Sequence, residues 1–487
     1  MKEKLKIHPR DNVAVCLKAQ GEIPAGHKMA LCDIPEGGEV IKYGCRIGLA
    51  RCNIHKGEWV HTHNLRSALR VHEEYVYHPA ECALPGRTPR TFRGFVRADG
   101  RVGIRNEIWI LPTVGCVGKA AQSLARQARE YLHGSVTDLL AFEHPYGCSQ
   151  LGDDQENTRQ ALAALACHPN AGGVLVLGLG CENSGVEEIR KRMENCDPQR
   201  VKFLVCQNAN DEMAEGLALL HELIDRAAKD VRQEVGEDKL VLGLKCGGSD
   251  GFSGLTANPV IGALSDRIVA CGGASLLTEV PEMFGAEQQL MDRCENEMVF
   301  RDTVRLIQSF KDGFAAAGQP VYENPSPGNK AGGITTLEEK SLGCTQKSGS
   351  APVRGVLGYA QRLHGQGLHL VAAPGNDLVA STALALAGAQ IVLFSTGRGT
   401  PFACPVPTMK LSSNSALAEK KGSWIDFDAG PVLEEESIEA CAERLEEMVL
   451  RVASGERVKA EKAGLQDIAI LKTGVLFFEE LRRNAIE

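Results

Sequence analysis

Apolar and polar positions change their rhythm three times along the chain. Up to residue 78 they form short apolar pairs cut by turns: Ile23-Pro-Ala-Gly26, Ile34-Pro-Glu-Gly-Gly38, Tyr43-Gly44 and Ile54-His-Lys-Gly57. Such spacing predicts a compact all-β module over residues 1–78. It ends in Val60-His-Thr-His-Asn64. Read as a strand, this puts His61 and His63 on one face, able to hold a metal or a carboxylate. The plain alternative is a polar surface. Residues 79–93 carry Pro79, Pro85 and Pro89 without periodicity, which predicts an extended, stiff linker.

From Gly94 apolar runs alternate with helical periods. Strands are predicted at 108–114, 138–142, 172–178 and 201–205, with helices at 119–132, 158–167, 186–195 and 211–231. Strands separated by helices imply a parallel sheet. The middle domain is placed at 94–236 and a second α/β domain at 237–487. In that second domain strands are expected at 239–244, 274–277, 368–372 and 390–394, and a charged surface helix at 434–453. The fold class is therefore α/β: a small β module followed by parallel-sheet, Rossmann-like domains.

Composition narrows the function. The chain has 487 residues, a net charge of −8 and no long basic run, which argues against nucleic acid. It has no apolar run long enough to cross a membrane and no signal-peptide core near Met1, so a cytoplasmic location is expected. Seventeen cysteines contain no C-x-x-C pair, which removes zinc-ribbon and thioredoxin readings. Most read as small core residues. Cys148, Cys181 and Cys246 differ, because each ends a strand-like run beside glycine. The Gly-x-Gly-x-x-Gly fingerprint fails at Asn183 and Phe402, and no P-loop or nucleophile elbow is present.

Six polar, glycine-rich loops lie in the last domain: 246–251, 278–282, 324–330, 343–349, 373–377 and 395–401. Four follow predicted strands, and open parallel sheets bind ligands at the carboxyl ends of their strands. The loops suit a hydroxylated anion. Together with Gly26-His-Lys-Met-Ala-Leu-Cys-Asp-Ile34, Gly57-Glu-Trp-Val-His-Thr-His-Asn64, His144-Pro-Tyr-Gly-Cys-Ser149, Gly178-Leu-Gly-Cys-Glu182 and Thr256-Ala-Asn-Pro259, they resemble the altronate and galactarate dehydratases over nearly the whole chain. The His-x-His-Asn run and Trp424-Ile-Asp-Phe-Asp-Ala-Gly430 look like the altronate branch.

The resemblance implies a β-clip N-terminal module of the SAF type, a middle domain that dimerises, and dehydration of D-altronate to 2-dehydro-3-deoxy-D-gluconate. It also implies iron(II) as cofactor, with manganese as substitute. A galactarate-type dehydratase, a carbon–sulfur lyase on a 2-hydroxy sulfonate and a sugar-acid-binding regulator are the alternatives. The expected partners are a small sugar acid and a second copy of the chain.

Such chemistry needs a metal, a base, an acid and cationic clamps. Lys330, Lys347 and Arg398 are the candidate clamps, with either lysine a candidate base if desolvated. His144 and the His61/His63 pair are rival bases. Asp250 and Glu279 are candidate acids. Ser249, Asn258, Asn329 and Thr400 are the neutral substrate contacts expected on the loops. The metal is assigned either to the thiolates of Cys148, Cys181 and Cys246, which would suit iron or an iron–sulfur cluster, or to Glu279, Asp250 and the histidines.

Overall fold

The computed structural model describes residues 3–474 apart from 85 and 195. The first part is antiparallel throughout. One small sheet joins Lys4–Leu5, Val13–Cys16, Lys28–Ala30 and Trp59–Val60, and another joins Glu39–Lys42, Cys45–Ala50 and Leu65–Arg66. The core of the module, built on Val13, Val40, Ile47 and Ile54, is completed by Ala286 and Leu342 of the last domain. Docking is thus part of how the module buries its apolar surface.

The 79–93 segment follows the surface of the last domain rather than spanning open solvent. Just before it, the Tyr75 hydroxyl donates to Glu287 at 2.6 Å and the Tyr77 hydroxyl to the Cys294 carbonyl at 2.6 Å. Its end is already a strand, Thr91–Val96, paired with Gln233–Gly236.

The middle domain is a four-stranded parallel sheet. Its strands are β1 (Glu107–Pro112), β2 (Leu139–Ala141), β3 (Ala171–Gly178) and β4 (Val201–Val205), in the order β2-β1-β3-β4. β3 is buried along its whole length, as its unbroken apolar run requires between two helical layers. The helix expected at 186–195 ends at Arg190, and residue 195 lies outside the described residues.

Seven parallel strands form the last sheet: β5 (Val241–Cys246), β6 (Ala274–Leu277), β7 (Val353–Leu357), β8 (Gly367–Val371), β9 (Ile391–Thr396), β10 (Thr408–Ser412) and β11 (Phe427–Asp428). Their order is β7-β8-β6-β5-β9-β10-β11. The chain runs outward from β5 to one side and later returns to its other side at β9. β5 therefore stands at the switch point, where the flanking loops part and leave a crevice. The 321–351 segment, expected to be a functional loop, holds the short helices Pro327–Ala331 and Leu337–Cys344 and packs between this crevice and the β module. The surface helix lies at Ile438–Ala453. No helix among the described residues is long and apolar enough to cross a membrane.

Candidate active site

At the carboxyl end of β5, a lysine and a cysteine close an otherwise apolar strand. Lys245 is fully buried, and its ammonium donates to Asp377 at 2.9 Å, to the Cys246 carbonyl at 2.8 Å and to Glu279. Glu279 follows β6 with φ 70, a left-handed conformation that costs a non-glycine residue roughly 1–3 kcal/mol. That bend turns its carboxylate inward, where it accepts from the Cys246 amide at 3.0 Å and from Lys347 at 3.1 Å. Lys347 also donates to Cys246 Sγ at 2.7 Å.

The opposite wall comes from Glu282 and the Leu337–Cys344 helix. Lys340 donates to Glu282 at 2.8 Å, to Asn324 at 3.0 Å and to Asn329 at 3.3 Å. Cys344 Sγ lies 3.3 Å from Cys246 Sγ and 3.3 Å from Glu282 Oε2, and Cys246 Sγ lies 3.6 Å from that same oxygen. Two thiols and one carboxylate thus face each other across the separations that a single divalent ion spans. The charges also fit. Three ammoniums (Lys245, Lys340, Lys347) meet three carboxylates (Glu279, Glu282, Asp377), so the set is neutral while both thiols hold their protons. A divalent cation that displaced two thiol protons would keep it neutral.

These groups set each other's proton affinities. Burial acts to raise Glu282, but the Lys340, Lys245 and Lys347 ammoniums more than reverse that and hold it at about 2. Glu279 goes up, from burial first and then from the charge of Glu282. Burial opposes charge on Lys347, yet the Cys246 sulfur and the Glu279 carboxylate hold it well above the ordinary lysine value. Lys347 is therefore a fixed cation rather than a base. The hydrogen bond between Cys344 and Cys246, followed by burial, pushes the Cys344 thiol well up.

Other expected residues fall in different places. Cys148 and Cys181 are exposed in middle-domain loops and do not join Cys246. Their loops belong to another sheet. His144 is taken by the backbone: its Nε2 meets the Pro112 carbonyl at 2.8 Å and its Nδ1 accepts from the Tyr146 amide at 3.2 Å. Burial lowers it to about 4. Asp250 accepts from Ser253, Ser413 and the Phe252 amide at Oδ1 and from Asn414 at Oδ2, which fixes its loop. Glu279 stays in the cluster, held by two ammoniums and an amide, and the third donor beside the two thiols is Glu282.

His61 and His63 do not share a strand face. Residues 61–64 form a turn in which the Asn64 amide donates to the His61 carbonyl at 3.0 Å. His61 points into the domain contact, with its ring 3.0 Å from the Lys330 carbonyl and 3.2 Å from Thr335, while His63 stays exposed. Asn258 braces β9 and the Gly343 carbonyl. Asn329 caps its helix and donates to the Ser249 carbonyl at 2.9 Å. The Ser249 hydroxyl is buried without a partner, next to that bond. Lys330, Arg398 and Thr400 lie on the more open rim, and Arg398 makes only a long contact, 3.4 Å, to the Gly328 carbonyl.

Sequence reasoning missed Lys245, Lys340, Glu282 and Cys344. One signal was legible for Lys245, a lone charge in a strand whose other positions are apolar. Larger cavities lie elsewhere: a groove of about 1110 Å³ beside Arg70 and Glu287, and others of about 650 Å³ beside Arg101 and Arg362 and about 630 Å³ beside Arg90 and Arg451. The geometry outweighs cavity size here, because buried, paired titratable groups at a switch point mark chemistry more directly than void space.

Family profiles cover the chain in three pieces. The altronate/galactarate dehydratase SAF domain matches residues 17–68, the second domain of D-galactarate dehydratase/altronate hydrolase matches 94–228, and the D-galactarate/altronate dehydratase C-terminal domain matches 237–476. The chain belongs to the D-galactarate/altronate dehydratase family. It is similar to the altronate dehydratase of Escherichia coli (strain K12), 49% identical over 97% of this chain and 99% of that one. It is likewise similar to the altronate dehydratase of Bacillus subtilis (strain 168), 50% identical over 98% and 100%. The galactarate dehydratase (L-threo-forming) of Escherichia coli (strain K12) is 32% identical over 93% of each chain. The buried cluster of this chain lies within the residues matched by the C-terminal-domain model.

Proposed function

We propose that this protein is a carbon–oxygen hydro-lyase that removes water from D-altronate, giving 2-dehydro-3-deoxy-D-gluconate. Similarity of about half the residues over nearly full length to two altronate dehydratases supports this substrate. The observation that carries the chemistry is the meeting of Cys246, Glu282 and Cys344 with three buried ammoniums at the switch point. Those three would hold iron(II), with manganese as substitute; when bound, it supplies Lewis-acid polarisation of the substrate carboxylate and adjoining hydroxyl.

The chain's own groups do the rest. Arg398 and Lys330, on the rim, hold the substrate's charged and hydroxylated ends. Lys347 and Lys340 offset negative charge as the C2–H bond breaks. Glu279, whose carboxyl is pushed up in proton affinity, accepts that proton. The Lys340 ammonium donates to the C3 hydroxyl, which leaves as water. The resulting enol tautomerises to the 2-keto acid, so the net change is loss of one water.

An anaerobic assay against a panel of hexonates and hexarates, with and without iron(II), tests this. Altronate should give a 2-keto-3-deoxy acid only with metal. Turnover of galactarate and not altronate would move the chain to the other branch, and no turnover of any acid would refute the reading.

A further inference from the structure

The carboxyl edge of the middle-domain sheet carries cysteines that the reaction above does not use. All four strands run the same way, so the loops after β1, β2, β3 and β4 rise side by side. Each loop carries one: Cys116, Cys148, Cys181 and Cys206. Unpaired cysteines are usually buried packing residues. Here Cys116, Cys148 and Cys181 are exposed. Cys206 is partly buried and packs against the apolar core under the sheet, which accounts for it.

The three loops are stitched together close to their thiols. The Gly115 amide donates to the Tyr146 carbonyl at 2.9 Å and the Ser184 amide to the Gly147 carbonyl at 3.1 Å. The Ser149 amide donates to Asn183 at 3.1 Å, and Gln207 reaches Cys181 Sγ at 3.5 Å. A Cβ on Gly147 would fall 2.0 Å from the Thr113 carbonyl, so the Cys148 loop is pressed onto the β1 loop. Ser149 has φ 54, a conformation kept at a cost where surrounding structure imposes it.

We propose that Cys116, Cys148 and Cys181 hold an iron–sulfur cluster through three thiolates, leaving one iron open to an oxygen ligand such as water or the hydroxyl and carboxylate of a 2-hydroxy acid. A single ion does not fit. Among the described residues only Cys246, Glu282 and Cys344 bring three ligand atoms within 4.8 Å of one another. The rim thiols do not form such a group, whereas a cluster takes its thiolates on separate irons.

The test is anaerobic reconstitution of the full chain with ferrous and ferric iron plus sulfide, followed by desalting. Iron, acid-labile sulfide and visible absorption are then measured. The wild type should retain labile sulfide, iron at least equal to it, and broad visible absorption. Cys116→Ser, Cys148→Ser and Cys181→Ser should each lose most of the sulfide and the iron bound with it, while Cys206→Ser keeps both and Cys344→Ser keeps the sulfide. Alkylation mapping of the wild type supplies a check independent of variant folding. In reconstituted protein the three rim thiols should be protected, while exposed Cys32 and Cys52 react. Absence of labile sulfide, iron bound without sulfide, sulfide unchanged in the three rim-cysteine variants, or unprotected rim thiols would each overturn the proposal.

Discussion

At the scale of single residues, the site depends on groups that are hard to replace because they are buried and mutually paired. Lys347→Ala would leave the Glu279 carboxylate and the Cys246 sulfur without the cation they share. Arg398 is different, since it is exposed and nearly free. Arg398→Ala should leave thermal stability unchanged and cut kcat/KM by about 2–4 kcal/mol of transition-state binding. Unchanged kinetics would reduce it to a solvated loop charge. Single residues also show what the sequence could tell. Cys246 and Lys347 stood out because Gly and polar neighbours surround them on loops. Cys344 and Lys340 did not, because the 321–351 segment around them has little periodicity and reads as a loop. The burial of their helix arises only when the β module closes one side and the last sheet the other, which no local pattern encodes.

At the scale of elements, strands were the most legible. β6 and β4 both fall where predicted; β6, inside its sheet, is buried at every position, while β4, at a sheet edge, is only partly buried. The 61–64 turn was misread as strand because alternation of His and Thr imitates a two-residue period. The element that joins module to site is the 331–336 turn. Gly333 has φ 102, and a Cβ there would sit 2.4 Å from the Gly26 carbonyl. Gly333→Ala should therefore destabilise the protein by about 1–3 kcal/mol. It should also increase protease cleavage near the module, which limited proteolysis would read. An unchanged melting temperature would show that the two backbones can part freely.

At the scale of the whole molecule, one buried carboxylate pins the β module to the catalytic domain. Glu339 accepts from Lys28 at 2.7 Å and from Lys42 at 2.8 Å, all three buried. Burial acts to raise Glu339, but the Lys28 and Lys42 charges bring it down to about 2. Burial lowers Lys28 to about 8. Glu339→Gln strands two buried ammoniums and should cost about 3–5 kcal/mol.

Acid should weaken the fold by a second route. Burial holds His144 at about 4 and His168 at about 3, both below the ordinary 6.5. The unfolded chain takes up these protons first, so this stability is complete above pH 6.5 and is lost as pH falls through 6.5 toward 4 and 3. At about pH 5 each histidine should have removed roughly 2 kcal/mol. Urea midpoints of the wild type and of His168→Gln at both pH values would read this directly. A wild-type midpoint that does not fall, or a variant that falls as steeply, would contradict it.

The account stands or falls on where the reaction occurs. Its most direct test is iron(II)-dependent turnover of altronate by Cys344→Ala and Glu282→Gln, with circular dichroism confirming that both variants remain folded. We predict a loss of about a hundred-fold or more in each, the several kcal/mol that metal-held charge stabilisation supplies. Near-wild-type turnover in either folded variant would place the chemistry outside this cluster.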